Sequence, residues 1–280
     1  MTDSTMPDLR ARLHHLQLAS PQPERLAGFY RDTLEMASER DGQRWLCRGR
    51  ERTLIIVPGE ARTLQTAGYQ VERAEMLEGL ARRLGRHGVN RAPCETGLFD
   101  DGAVAFDDPD GNRIAFGIPR AAPPLPPGPA ARLQHVVVGS PVPVAMVDFY
   151  GGIVGLRISD RVLDADQTLR TCFLRSDEEH HSFAVFQTEN RRFDHHCYEL
   201  PDWNAIRDWG DRLAARGIAV EWGPGRHGPG NNLFLFFHDP DGNWLELSAE
   251  LEKVPDDRAP GEWPHAERTL NLWGRGFLRS

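Results

Sequence analysis

The sequence predicts an α+β protein built as two tandem copies of one module. Three observations carry that expectation: an internal repeat, helix and strand periodicities that alternate within each copy, and a composition suited to a packed core. Leu13-His14-His15-Leu16-Gln17-Leu18-Ala19-Ser20-Pro21 aligns with Leu133-Gln134-His135-Val136-Val137-Val138-Gly139-Ser140-Pro141, and the same offset brings Phe29-Tyr30 onto Phe149-Tyr150. Further along, Tyr69-Gln70-Val71 matches Tyr198-Glu199-Leu200, and Asp108-Pro109-Asp110-Gly111-Asn112 matches Asp239-Pro240-Asp241-Gly242-Asn243. Self-similarity of this kind marks a duplicated structural unit.

Within each copy the pattern reads as a strand, a helix of about a dozen residues ending near the Phe-Tyr pair, several strands, a second helix and a closing hairpin. The second helix of the first copy is expected over Arg73 to His87, because Met76, Leu77, Leu80 and Leu84 recur at spacings of three and four. Its counterpart runs from Trp203 to Gly217 through Ile206, Trp209 and Leu213, with Gly217 as the stop. The expected organisation is a first module over 1–120, a proline-rich, semi-rigid connector over 121–130, a second module over 131–250 and a tail over 251–280. The tail carries one short apolar patch, Thr269 to Gly274. It is expected to pack across a module or a neighbouring subunit, with closure over a site in the second module as the alternative.

With 280 residues, 40% of them apolar and 26% charged, the chain can bury a full core and suits a soluble globular protein. A net charge of −8, a pI near 5.8 and the absence of a basic patch argue against nucleic acid as a partner. Met1 to Pro7 lacks the basic and apolar regions of a signal peptide, and no apolar run approaches the roughly 18 residues that span a bilayer. Cys47, Cys94, Cys172 and Cys197 are scattered without a Cys-x-x-Cys spacing, which suits reduced thiols and a cytoplasmic location.

The most informative stretch lies near the end of the second copy. A glycine-rich loop, Gly225 to Asn232, carries His227; an apolar strand over 233–237 follows, then the Asp-Pro-Asp-Gly-Asn turn, then a return strand with Glu246 between Leu245 and Leu247. Glutamate is rarely buried without a partner, so an acid in that position calls for a cation. Asn231 and Asn232 read as residues that shape the loop. The acidic turn occurs in both copies and reads as hairpin punctuation rather than a calcium loop.

Gly225-x-His227, aliphatic Leu235, Asp239-Pro240-x-Gly242 and Glu246 together resemble the signature of type I extradiol ring-cleavage dioxygenases. These belong to the vicinal oxygen chelate (glyoxalase/bleomycin resistance/dioxygenase) superfamily. The two-copy repeat resembles the same family, so the likeness covers Leu13 to Glu250. It implies two tandem vicinal-oxygen-chelate modules, each of paired βαβββ units forming a curved, open, barrel-like sheet. Phe236 departs from the pattern: relatives usually have tyrosine there, with a hydroxyl that contacts substrate or oxygen.

The resemblance implies an iron(II) site with His135, His195 and Glu246 as ligands, manganese(II) replacing iron in some relatives. Two histidines and a carboxylate hold a metal on one face and leave the other open. Strand alternation bears on one choice: Tyr198 and Leu200 share a face with His196, so His196 should face the helix and His195 the cleft. In the first strand of that copy, Leu133, His135 and Val137 are expected to share one face. The first copy keeps His15 opposite His135 but has Thr66 and Ala115 where His195 and Glu246 stand, so it is expected to be structural, without a metal site. The resemblance gives His181 an acid–base role and has His227 hydrogen-bond substrate oxygen or orient a ligand. His14, His87, His196, His238 and His265 receive no chemistry.

The activity implied is extradiol (meta) cleavage of a catechol-type ring with O₂ in aromatic catabolism, the partners being a small aromatic diol and dioxygen and the assembly a homo-oligomer. Two alternatives stay open: a glyoxalase-like metal-dependent isomerase or lyase, and a non-catalytic antibiotic-binding protein of the same superfamily. The sequence does not rank one catechol against another.

Overall fold

A computed structural model describes residues 9–125 and 128–278. The stretch to Asp8, Pro126-Pro127 of the connector and the last two residues of the tail lie outside the described residues. Apolar alternation lays out two mixed sheets, one per copy. The first copy contains β1 (Arg12–Ser20), α1 (Pro23–Leu34), β2 (Ala37–Asp41), β3 (Arg44–Gly49), β4 (Arg52–Pro58), β5 (Thr63–Gln70), α2 (Ala74–Arg86), β6 (Arg91–Ala92), β7 (Val104–Asp107) and β8 (Arg113–Gly117). Its strands lie in the order 2-3-4-1-5-8-7-6.

The second copy repeats the plan. It has β9 (Arg132–Ser140), α3 (Pro143–Val147) continuing into a π-helical turn (Asp148–Val154), β10 (Arg157–Leu163), β11 (Leu169–Arg175) and β12 (Phe183–Gln187). Then come β13 (Arg192–Leu200), α4 (Trp203–Ala215), β14 (Trp222–Arg226), β15 (Leu233–His238) and β16 (Trp244–Ala249). The tail adds β17 (Gly261–Pro264) beside β10 and a short α5 (Glu267–Leu270), giving the order 14-15-16-13-9-12-11-10-17. Each sheet is two βαβββ units joined by an antiparallel central pair, β1 with β5 and β9 with β13. The outermost strands do not meet, so neither sheet closes.

The second helices match expectation to within two residues, and Gly217, at a φ of +69°, follows the end of α4. The first helix has the expected dozen residues and ends at Leu34, one turn past Phe29-Tyr30, because Leu26, Ala27, Tyr30, Thr33 and Leu34 keep one face buried to its last turn. In the second copy the Phe-Tyr pair sits inside the π-helical turn.

One hydrophobic core joins the copies, with Leu16, Leu26 and Tyr30 from the first and Val136, Phe183 and Tyr198 from the second. The joint is polar at two places. Tyr30 Oη donates to Asp239 Oδ2 at 2.9 Å, and Tyr150 Oη donates to Asp108 Oδ2 at 2.8 Å. Each copy's Phe-Tyr helix thus plugs into the other copy's Asp-Pro-Asp-Gly-Asn turn, and the turns are sockets as well as punctuation. Asp239 also accepts from the Asp241 and Asn243 backbone N–H groups and from Asn243 Nδ2. Among the described residues no helix is long and apolar enough to cross a membrane.

Candidate metal centre

β9 and β13 each carry one irregularity. Pairing passes from Leu133–Tyr198 to His135–Cys197, and from Val137–His195 to Val138–Phe193, so Gln134 and Asp194 are extra residues. A bulge changes strand parity where it occurs. The expectation that Leu133, His135 and Val137 share a face is therefore corrected: Leu133, Val136 and Val138 enter the core, whereas His135 and Val137 line the concave pocket. His195 and His196 divide as expected. His195 lines that pocket, and His196 turns to the core, its Nε2 3.3 Å from Tyr30 Oη.

His135 on β9, His195 on β13 and Glu246 on β16 come together, each at most 3% exposed. His135 Nε2 lies 3.1 Å from Glu246 Oε2 and 3.4 Å from His195 Nε2, and His195 Nε2 lies 3.3 Å from the same carboxylate oxygen. Metal–ligand bonds of about 2.1 Å at right angles would separate neighbouring donors by roughly 3 Å. The spacing fits one small divalent ion.

The ring protons support the same fit. Gln134 Oε1 lies 2.5 Å from His135 Nδ1, and Asp194 Oδ1 lies 2.7 Å from His195 Nδ1. Both acceptors suit a proton at Nδ1, the tautomer that would turn a bare Nε2 toward a bound cation. Burial, outweighing the influence of Glu246, lowers the His135 pKa and keeps that ring neutral. Burial alone would raise the Glu246 carboxyl, but contacts with His135, His195 and His227 hold it well below the ordinary range. A carboxylate and two imidazole nitrogens at these distances suit a cation between them.

Cys197 Sγ also lies within 4.8 Å of donors on His135 and Glu246, so these three form a second possible group. The histidine pair with Glu246 is the tighter set. Burial, then Glu246, pushes the Cys197 thiol well above its usual range, which makes it the poorer ligand.

His181 and His227 line the same pocket. The His181 ring centroid is 4.4 Å from that of His135, and burial, then His135, holds its pKa well below the usual value. His227 Nδ1 lies 2.5 Å from Leu270 O, its Nε2 3.6 Å from Glu246 Oε1, and its ring stacks on Phe234 at 4.0 Å. Thr269, Leu270 and Phe277 of the tail line the pocket, so the tail does close over it.

Sequence reasoning missed three supporting residues. Gln134 and Asp194 stood unremarked beside histidines, and Asn232, read as loop-shaping, donates from Nδ2 to Glu246 Oε1 at 3.1 Å and to Ser248 Oγ at 2.9 Å. A polar residue directly before each candidate histidine was the available signal. In the first copy, His15 pairs across from Gly68, Gln17 from Thr66, and Gly68 from Ala115. Register thus puts Thr66 and Ala115 at the places of His195 and Glu246, while Phe99 packs on His15 at 4.8 Å.

Comparison with known proteins agrees with this plan. A family model described as Glyoxalase/Bleomycin resistance protein/Dioxygenase superfamily matches residues 12–116 and 132–247. Metapyrocatechase 2 of Cupriavidus necator is 29% identical over 202 residues, which are 62% of this chain and 61% of that protein. The manganese-dependent 2,3-dihydroxybiphenyl 1,2-dioxygenase of Geobacillus genomosp. 3 is 24% identical over 286 residues, 92% of this chain and 91% of that one. The Mn(II)-bound glyoxalase from Novosphingobium aromaticivorans shares the fold, with a TM-score of 0.79 at 22% identity over 95% of this chain and 92% of its own. Because the family model matches both halves, one module each, this chain belongs to the Glyoxalase/Bleomycin resistance protein/Dioxygenase superfamily.

Proposed function

We propose that the protein is a metal-dependent extradiol dioxygenase that opens a catechol-type ring with O₂, using iron(II) or manganese(II) held by His135, His195 and Glu246. The observation that carries this reading is the trio of donors 3.1–3.4 Å apart at the wall of a pocket. The names of the metapyrocatechase and dihydroxybiphenyl dioxygenase relatives support it. When bound, the metal would supply a Lewis acid for the diol oxygens and a path for electrons to dioxygen.

The chain's own residues do the rest. His181, neutral in its buried setting, accepts the proton of a substrate hydroxyl and holds it for return. His227 sits on the Glu246 side of the pocket, where Leu270 O fixes its ring orientation. Val137, Phe173, Phe186, Trp222, Phe236 and Leu270 supply apolar walls that exclude water. Among the described lining residues there is no lysine or arginine. A carboxylate substituent would lose its hydration there without gaining a counter-charge, so the substrate is an uncharged catechol, bare or with an apolar substituent.

The test is anaerobic loading with iron(II) or manganese(II), then oxygen uptake with a panel of catechols. One-to-one uptake and a yellow ring-opened product support the reading. Tight ligand binding to metal-free protein without uptake would overturn it, as would isomerase or lyase activity on a panel that consumes no oxygen. Glu246→Ala should lose metal and turnover together. His181→Ala should keep the metal while kcat falls on the order of 10²-fold or more; loss of metal from it would refute the division of roles.

A further inference from the structure

A buried polar chain leads out of the pocket from His181. Its Nδ1 lies 3.0 Å from Nδ1 of His180, with the two rings perpendicular. His180 is fully buried, and its Nε2 lies 3.1 Å from Asp160 Oδ2, an ion-pair distance without hydrogen-bond alignment. Asp160, on β10, is held in turn by the tail: Trp263 Nε1 donates to it at 2.8 Å, Arg258 Nη2 at 3.0 Å and the Gly261 backbone N–H at 3.1 Å. Only glycine permits that last approach, since a Cβ at Gly261 would stand 2.6 Å from Asp160 Oδ1. Phe173 lies 5.5 Å from the His180 ring and 5.0 Å from the His181 ring, so both are flanked by the same side chain.

The direction of the protons follows from the acid end. Burial works to raise the Asp160 carboxyl, but His180, Trp263 and Arg258 together bring it below its ordinary value, so it remains a carboxylate and can only accept. With a single ring proton on His180, the carboxylate 3.1 Å away places it on Nε2 and leaves Nδ1 bare. His181 must donate from Nδ1 to that bare nitrogen, so its own Nε2 is bare.

We propose that Asp160 and His180 are positioning residues that fix His181 as the Nδ1–H tautomer, with Nε2 free to take a proton from the substrate hydroxyl. This rests on the dioxygenase reading for its catalytic consequence, but the tautomer itself does not. The tail segment that braces Asp160 is thereby part of the machinery, although it never touches substrate.

The tautomer is read directly from ¹⁵N–¹H long-range correlations of the ring nitrogens in protein loaded with diamagnetic zinc(II). In the wild-type chain His181 should show Nδ1–H; an Nε2–H form overturns the proposal. Asp160→Asn supplies a donor toward His180 Nε2 and reverses each link, so His181 should shift toward Nε2–H. With the catalytic metal bound, that variant's kcat should fall on the order of 10–100-fold while KM and bound metal hold steady, and Asp160→Glu should recover part of the loss. A kcat within about twofold of wild type overturns the positioning role. A wild-type protein inactive on every catechol would refute the dioxygenase reading and leave the spectra to decide the tautomer.

Discussion

A strand histidine offers a lone pair to a cation only when its other ring nitrogen has an acceptor. Here that acceptor is the preceding residue twice over, an amide at Gln134 and a carboxylate at Asp194. Gln134 is itself fixed, its Nε2 donating to the carbonyl of His181 at 2.7 Å and to Glu179 at 3.1 Å. Gln134→Ala and Asp194→Ala should each weaken metal binding on the order of 10–100-fold in competition with a chelator. The Asp194 change should cost more, because a charged acceptor binds the ring proton more strongly. Equal affinity in all three proteins would show that the rings are oriented by packing alone. That His135, His195 and Glu246 would come together was legible in the sequence, because their residue types and the surrounding motif restrict the choice. Gln134, Asp194 and Asn232 were not, since their roles depend on strand parity and loop path.

At the scale of elements, the two bulges decide which side chains face the pocket. Simple alternation misplaces Leu133 relative to His135, and nothing in the local residue pattern marks the extra residue at 134. The sockets are the other element-level device. Tyr30→Phe leaves a buried Asp239 oxygen short of one donor and should lower stability by about 1–2 kcal/mol in urea, with no change in metal content. Burial is the largest influence on Asp239 and lifts its carboxyl to about 6 despite the hydrogen bonds from Asn243, Tyr30 and Asp241. An acid raised on folding binds its proton more tightly in the native chain. Its contribution to stability is full below about pH 4 and is lost as pH climbs through about 6. Asp239→Asn should remove that slope, so urea denaturation across this window should show wild type losing on the order of 3 kcal/mol relative to the variant. Parallel profiles would mean the socket stays ionised throughout.

For the whole molecule, duplication was the legible fact, because matched strands, helices and turns recur at separated places in the chain. The tail was not. Its strand β17 extends the second sheet, and its last residues roof the pocket, yet Gly261–Pro264 has only four residues and no apolar alternation to announce a strand. The first copy retains the plan without the donors: Thr66, Gly68 and Ala115 offer no imidazole or carboxylate, and Phe99 fills the space beside His15.

The crossed tyrosine sockets bear on whether the second half could be transplanted. Cut from its neighbour at the connector, it would keep every donor of the cluster but lose the hydroxyl that serves both Asp239 and His196, one residue from His195. Its own Tyr150 would lose Asp108 in the same stroke. The half that gathers His135, His195 and Glu246 is therefore not a portable cassette, and its twin serves as a scaffold that it cannot shed.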